Sequence, residues 1–167
     1  MIKFLKTRNV KSPERRFGDA GIDCFIPKFD NDFINRLQEL NPKCEINGST
    51  VSMSTANDIL IPLGIKANFD NSIALIALNK SSVATKVKLT VGAGVIDSSY
   101  QGEIHAHLFK QDVEDVVLHE GMKIVQFVPI VIDDTSIVVE DAISDEEFYH
   151  GIKTDRGEGG FGSTGLE

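Results

Sequence analysis

The sequence predicts an all-β fold, a jelly-roll-like β-barrel or sandwich with one short inserted helix and a flexible glycine-rich C-terminal tail. Short alternating apolar runs, punctuated by turn residues, fill most of the chain. Only one stretch carries helical periodicity, and six of the fourteen glycines crowd into the segment from Gly151 onward.

Ile2–Lys6 alternates apolar and polar residues and reads as the first strand. A polar loop with Pro13 leads into AGIDCFIP at Ala20–Pro27. Asn31–Leu40 reads as the helix: Phe33, Leu37 and Leu40 share a face, Asn31 offers a cap, and Asn41-Pro42 ends it. Asn47-Gly48 marks a hairpin, with Val51 and Met53 alternating behind it. Ile59–Ala67 and Ser72–Leu78 are nearly continuous apolar runs, read as buried strands separated by the Asp70-Asn71 turn. Val87, Leu89 and Val91 alternate into a glycine-rich segment, and Glu103–Lys110 again alternates, with Ile104, Ala106 and Leu108 on one face. Val113–Leu118, Met122–Ile132 and Ser136–Glu140 supply further β-rich runs, and His119-Glu120-Gly121 is a turn. Pro129 predicts an edge or a bulge in its run.

At 167 residues the chain is long enough for one core. Residues 1–150 read as a β domain and 151–167 as a mobile arm, since a glycine-rich segment builds no core of its own. A net charge of −8 argues against nucleic acid or an anionic membrane as partner, because both demand clustered Lys and Arg. Two cysteines, Cys24 and Cys44, are too few for a disulfide framework and lack metal-ligand spacing. The basic N-terminus has no apolar run of the signal-peptide type, and no stretch approaches the roughly 20 apolar residues of a membrane span. These features predict a soluble, cytoplasmic protein, or one of the host cytoplasm if the source is viral.

Four stretches carry chemistry. Val91–Ile104, VGAGVIDSSYQGEI, is a glycine-spaced hairpin that delivers the carboxylate of Asp97 into a turn, with the ring of Tyr100 three residues on. Gly92 and Gly94 permit close approach of a flat ligand to the main chain. Lys80-Ser81-Ser82 places an ammonium and two hydroxyls after a buried run, a set that suits a phosphate as well as a helix cap. Asp23 lies in AGIDCFIP, where a turn role and a place near a metal are both open. The tail, RGEGGFGSTG, has glycines at 157 and 162 with the spacing of a phosphate loop, followed by Ser163-Thr164. It lacks the lysine and following helix of a P-loop, so what remains is an anion cradle of backbone N–H groups, hydroxyls and Arg156. His105 and His107 share a strand face without a third metal ligand and read as surface or interface residues.

Together, and in this order, these stretches resemble the five motifs of the trimeric dUTPase family. Ala20–Pro27 resembles the first, Lys80-Ser81-Ser82 the second, Val91–Ile104 the third, Lys123–Phe127 (KIVQF) the fourth and Arg156–Gly165 the fifth. The resemblance implies a jelly-roll homotrimer, with active sites shared between subunits, that hydrolyses dUTP to dUMP and pyrophosphate with Mg²⁺. It implies Asp97 as the base for the water that attacks the α-phosphorus, and Tyr100 as the ring beneath the deoxyribose that excludes UTP. Main-chain groups of Gly94, Val95 and Ile96, and others near His105, would read uracil. Lys80, Ser81, Ser82 and Gln126 would hold phosphates, and Asp23 would meet Mg²⁺ through water. In the arm, Phe161 would stack on the base, while Arg156, Gly162, Ser163 and Thr164 close over a neighbour's site. Lys80 and Lys123 stand where the family's motifs usually carry Arg, which keeps the charge without the bidentate fork. An insert at about 28–55 offers surface to a protein partner or is a tolerated loop. Two rival readings are a dCTP deaminase of the same fold, with Glu103 as proton shuttle, and a nucleotide-binding regulator without turnover.

Overall fold

The computed structural model describes residues 1–133, 137–139 and 144–153, in two compact units, Met1–Asp133 and Asp134–Glu167. The first holds twelve antiparallel strands in four small sheets, arranged as a jelly-roll-like sandwich without a closed barrel. β1 (Lys3–Lys6) pairs with β6 (Ile65–Asn68). β10 (His105–Lys110) lies between β5 (Asp58–Pro62) and β8 (Leu89–Val91). β4 (Thr50–Ser52) lies between β3 (Glu45–Asn47) and β11 (Val117–His119). The largest sheet orders β2 (Ile22–Phe25), β12 (Lys123–Val131), β7 (Ile73–Leu78) and the two-residue β9 (Val95–Ile96). In the second unit the described residues contribute one short helix, α2 (Asp145–Phe148), and residues 137–139 form no strand.

Alternation places the core. Ile104, Ala106 and Leu108 turn one face of the β10 segment inward, each at most 3% exposed, while His105, His107 and Phe109 lie on the other. Phe33 and Leu37 of α1 (Asn31–Leu40) are fully buried with Leu75, Ile124 and Phe127 of the main sheet's strands, so the insert shares the common core. Burying each such side chain is worth about 1.5–3 kcal/mol.

The helix has the bounds its periodicity predicts, but its cap is Asp30: the Asp30 carboxylate accepts from Phe33 N–H at 3.0 Å. At the far end Asn41 is buried and satisfied three times over. Its amide donates to Leu37 O (2.8 Å) and Leu60 O (2.9 Å), and its oxygen accepts from Leu60 N–H (2.8 Å).

Two further expectations change. The run Ile59–Ala67 is two strands in two sheets, broken at Gly64, whose φ of +68° turns the chain out of β5 before β6 begins. Val87 closes a π-helical turn (Val83–Val87) instead of opening a strand; Lys88 in the left-handed region ends that turn. Pro129 does sit where β12 has a single neighbour, since pairing with β2 ends at Phe127 while pairing with β7 continues. The bulge in that strand lies at Lys123/Val125.

Candidate active site

The described residues of the predicted site form two groups. The first is a cavity of about 240 Å³ lined by Val95, Ile96, Asp97, Tyr100, His105 and His107, with Leu60, Ala93 and Ile104 completing its walls. β9 hangs from β7 through the Leu75–Ile96 and Ile76–Val95 pairs, and Ala77 N–H donates to Gly94 O at 2.6 Å. This pairing fixes the hairpin's incoming arm. Asp97 opens a turn closed by Tyr100 N–H donating to its carbonyl (3.1 Å), and its side chain stays in contact with solvent.

The Tyr100 ring folds back over Gly102, where a Cβ would fall 2.4 Å from the phenol oxygen. Only glycine leaves that space. The Tyr100 hydroxyl donates to Glu103 O at 2.9 Å, and His105 Nδ1 meets the same carbonyl at 2.8 Å. Facing a carbonyl, Nδ1 must carry the proton, which leaves Nε2 as the acceptor of the neutral ring. Burial pushes the His105 pKa down, against the opposing pull of the Glu103 carbonyl, and its buried Nε2 has no partner among the described residues. The neighbouring His107 is held at both nitrogens, by Asp58 (3.1 Å) and by Ala93 N–H (3.5 Å). Tyr100 also lines a second cleft, of about 420 Å³, with Lys3, Lys66 and Gln101.

The second group gathers Asp23, Lys80, Lys123 and Gln126. Asp23 on β2 is ion-paired with Lys80, at the end of β7, and with Lys123 (2.8 Å), on β12. Lys123 also reaches Glu14 at 2.7 Å, and Glu14 meets Lys11 at 2.9 Å. Burial alone would push the Asp23 carboxyl up, but the bonds and charges of Lys123 and Lys80 outweigh it and hold it below the usual carboxylate range. The same pairing, with Asp23 and Glu14, raises Lys123.

Gln126 donates to Asn79 O at 2.9 Å, while the Asn79 side chain meets Thr90 (3.1 Å) and Val91 N–H (2.6 Å). A Cβ on Gly21 would lie 2.1 Å from the Gln126 amide oxygen, so the glycine of AGIDCFIP makes room for the glutamine of KIVQF. Ser81 and Ser82 are exposed at the entry to the π-helical turn, and the Ser82 hydroxyl caps nothing there.

None of Asp23, Lys80, Ser81, Ser82 or Gln126 lines the cavity at Asp97. Arg156, Phe161, Gly162, Ser163 and Thr164 lie outside the described residues. Among the described residues no three His, Cys, Asp or Glu side chains gather to hold a metal, and no helix is long and apolar enough to cross a membrane. Sequence reasoning missed Asn79 and Glu14; only distance contacts give them a role, and no motif flags either.

Glu103 is occupied. Arg8 donates to its two carboxylate oxygens from Nε (2.7 Å) and Nη2 (3.1 Å), and Gly64 N–H donates to it at 2.9 Å. A carboxylate held this way is poorly placed to shuttle protons to a base, as a deaminase requires.

Comparison with known proteins decides the family: the dUTPase family model matches residues 48–165. The chain belongs to the dUTPase family. It is 37% identical over 113 residues to the deoxyuridine 5'-triphosphate nucleotidohydrolase of Candida albicans, covering 68% of this chain and 62% of that one. With the Rickettsia rickettsii enzyme of the same name it shares 35% identity over 122 residues, 72% of this chain and 77% of that one. In fold it is similar to the dUTPase of Staphylococcus bacteriophage 80alpha, solved with dUpNHpp (TM-score 0.72, 18% identity, 99% of both chains). It is also similar to the native EIAV dUTPase (TM-score 0.62, 23% identity, 86% of this chain and 99% of that one). The dUTPase-family match begins inside the hairpin of β3 and β4, so α1 lies outside it.

Proposed function

We propose that this dUTPase-family chain hydrolyses dUTP to dUMP and pyrophosphate, limiting uracil in DNA and supplying dUMP for dTMP synthesis. The observation that carries the reading is the cavity at Asp97, which joins one solvent-reached carboxylate, a buttressed aromatic ring and exposed hairpin backbone in a space suited to a nucleoside.

A water beside Asp97 gives up a proton to the carboxylate as its oxygen attacks the α-phosphorus. The bond from that phosphorus to the α,β-bridging oxygen breaks, and pyrophosphate leaves with the electron pair. Main-chain groups of Gly94, Val95, Ile96 and His105 pair with the uracil edge. Cytosine carries an amino donor where uracil has O4, so a fixed backbone tells them apart strongly. Tyr100, set by Gly102 and by the Glu103 carbonyl, lies against the deoxyribose and leaves no room for a 2′-hydroxyl.

Phosphate contacts come from Lys80, Ser81, Ser82 and Gln126. Because these lie apart from the Asp97 cavity in one chain, the reading includes a homotrimer in which neighbouring subunits complete each site. Arg156, Phe161, Gly162, Ser163 and Thr164 of the arm at 151–167 close it. Mg²⁺ fits as a cation carried by the triphosphate, since it keeps several waters and needs no protein cage. With both lysines on its carboxylate, Asp23 suits a hydrogen bond from that water shell better than direct ligation. When bound, the metal offsets phosphate charge.

Incubation with each deoxynucleoside triphosphate and with UTP, in Mg²⁺, followed by anion-exchange separation, tests the reading. dUMP and pyrophosphate from dUTP alone are expected. Ammonia from dCTP, or dUTP binding without pyrophosphate release, overturns it.

A further inference from the structure

Glu103 follows the Tyr100 turn yet lines neither of the cavities that Tyr100 lines. Its importance lies in its main chain. One carbonyl accepts from both Tyr100 Oη (2.9 Å) and His105 Nδ1 (2.8 Å), two side chains of the Asp97 cavity. Whatever fixes the peptide at 103 therefore fixes both. The side chain does so: Arg8 grips it in a two-pronged pair, Gly64 N–H adds a bond, and Thr7 Oγ1 adds one at 3.3 Å. Arg8 and Glu103 side chains are only 12% and 16% exposed. A mostly buried guanidinium fork constrains distance and plane together, which a lysine cannot do. The third nitrogen of Arg8 pairs with Asp32 in the first turn of α1.

The geometry points to Glu103 as a positioning residue: the Arg8–Glu103 pair, braced by Asp32 of the inserted helix, sets the Tyr100 ring and so the discrimination between dUTP and UTP. Three residues that touch no substrate thereby control which sugar is admitted. The inference rests on the reading of Tyr100 as the sugar-contacting ring. Displacements on the order of 1 Å cost about 100-fold in reactions that depend on alignment, and a weakened pair gives part of that.

The test is a double-mutant cycle of Glu103→Gln with Tyr100→Phe, reading kcat/KM for dUTP and UTP in Mg²⁺. Glu103→Gln keeps the shape but cannot form the charged fork, and Tyr100→Phe removes only the hydroxyl. Each is expected to shrink the dUTP/UTP ratio about tenfold, and the double variant no more than the larger single, because both act through one bond. Asp32→Asn, which leaves the fork intact, is expected to lower the ratio only about twofold. If Glu103→Gln fails to fold, Arg8→Lys takes its place in the same cycle. Effects that multiply in the double variant would mean a merely structural pair and would overturn the inference. So would a ratio within twofold of wild type in Glu103→Gln or Arg8→Lys while Tyr100→Ala collapses it. A ratio untouched by Tyr100→Ala removes the sugar reading itself, and the inference with it.

Discussion

Asp97 stands at the head of a turn with its main chain bonded and its side chain toward solvent, the arrangement a general base needs to meet a water. Asp97→Asn keeps the shape and removes the basicity. Turnover of dUTP is expected to fall about 10²–10⁴-fold, with the affinity for a non-hydrolysable analogue within a few-fold of wild type by calorimetry. An unchanged kcat would remove Asp97 from the role.

Asp23 is a different kind of carboxylate, tied to Lys80 and Lys123 with its pKa held down when folded. Its contribution to stability is complete above the unfolded carboxylate's pKa of about 4 and disappears as pH falls through the lower folded value. Asp23→Asn should therefore unfold at lower urea than wild type at pH 6. The gap should close as pH drops below about 4. A gap as wide at pH 2 as at pH 6 would mean the pairing contributes nothing.

At the scale of elements, α1 is the part most legible in the sequence, because Phe33, Leu37 and Pro42 act locally and set phase and end together. Its cap was less so: Asp30 and Asn31 are both good caps, and the choice falls to the backbone that enters the helix. The Gly64 break and the π-helical turn were hidden for another reason. The break hangs on the one left-handed residue Gly64 inside a nearly continuous apolar run, and the turn runs through VATKV, where two valines and a threonine favour extended chain until Lys88 turns left-handed. Asn41 shows how the insert is secured, since its amide takes both main-chain groups of Leu60 on β5. Asn41→Ala strands those groups in a buried setting and should cost about 1–3 kcal/mol in urea unfolding. A loss below about 0.5 kcal/mol would show that water reaches Leu60.

For the whole molecule, the candidate site shows in the sequence as motifs, while the contacts that support it do not. Asp23 and Lys123 are 100 positions apart, and Arg8 and Glu103 are 95 apart, so no local period carries either pair. The same separation explains why the hairpin could be recognised while its supports could not. For the arm at 151–167 the sequence supplies the proposed chemistry, and its site residues lie outside the described ones. Deleting residues 155–167 should leave the urea midpoint unchanged and lower kcat/KM at least about 100-fold, since the proposed function assigns this segment charged and stacking contacts in the transition state. A shortened chain as active as the full one would end the arm's role.

The two cysteines have one more consequence. Cys24 in β2 and Cys44 behind α1 are free thiols, 1% and 4% exposed, and burial pushes the Cys24 pKa up to about 12. Burial raises both thiols and leaves little of either open to a reagent while the fold is closed, so the chain carries two internal clocks and no competing ones. Thiol labelling under native conditions times each opening, one in the main sheet and one beside the insert. Because Phe33 and Leu37 are buried in the common core, both clocks should run at one rate. A faster Cys44 would mark the insert as a piece that breathes alone.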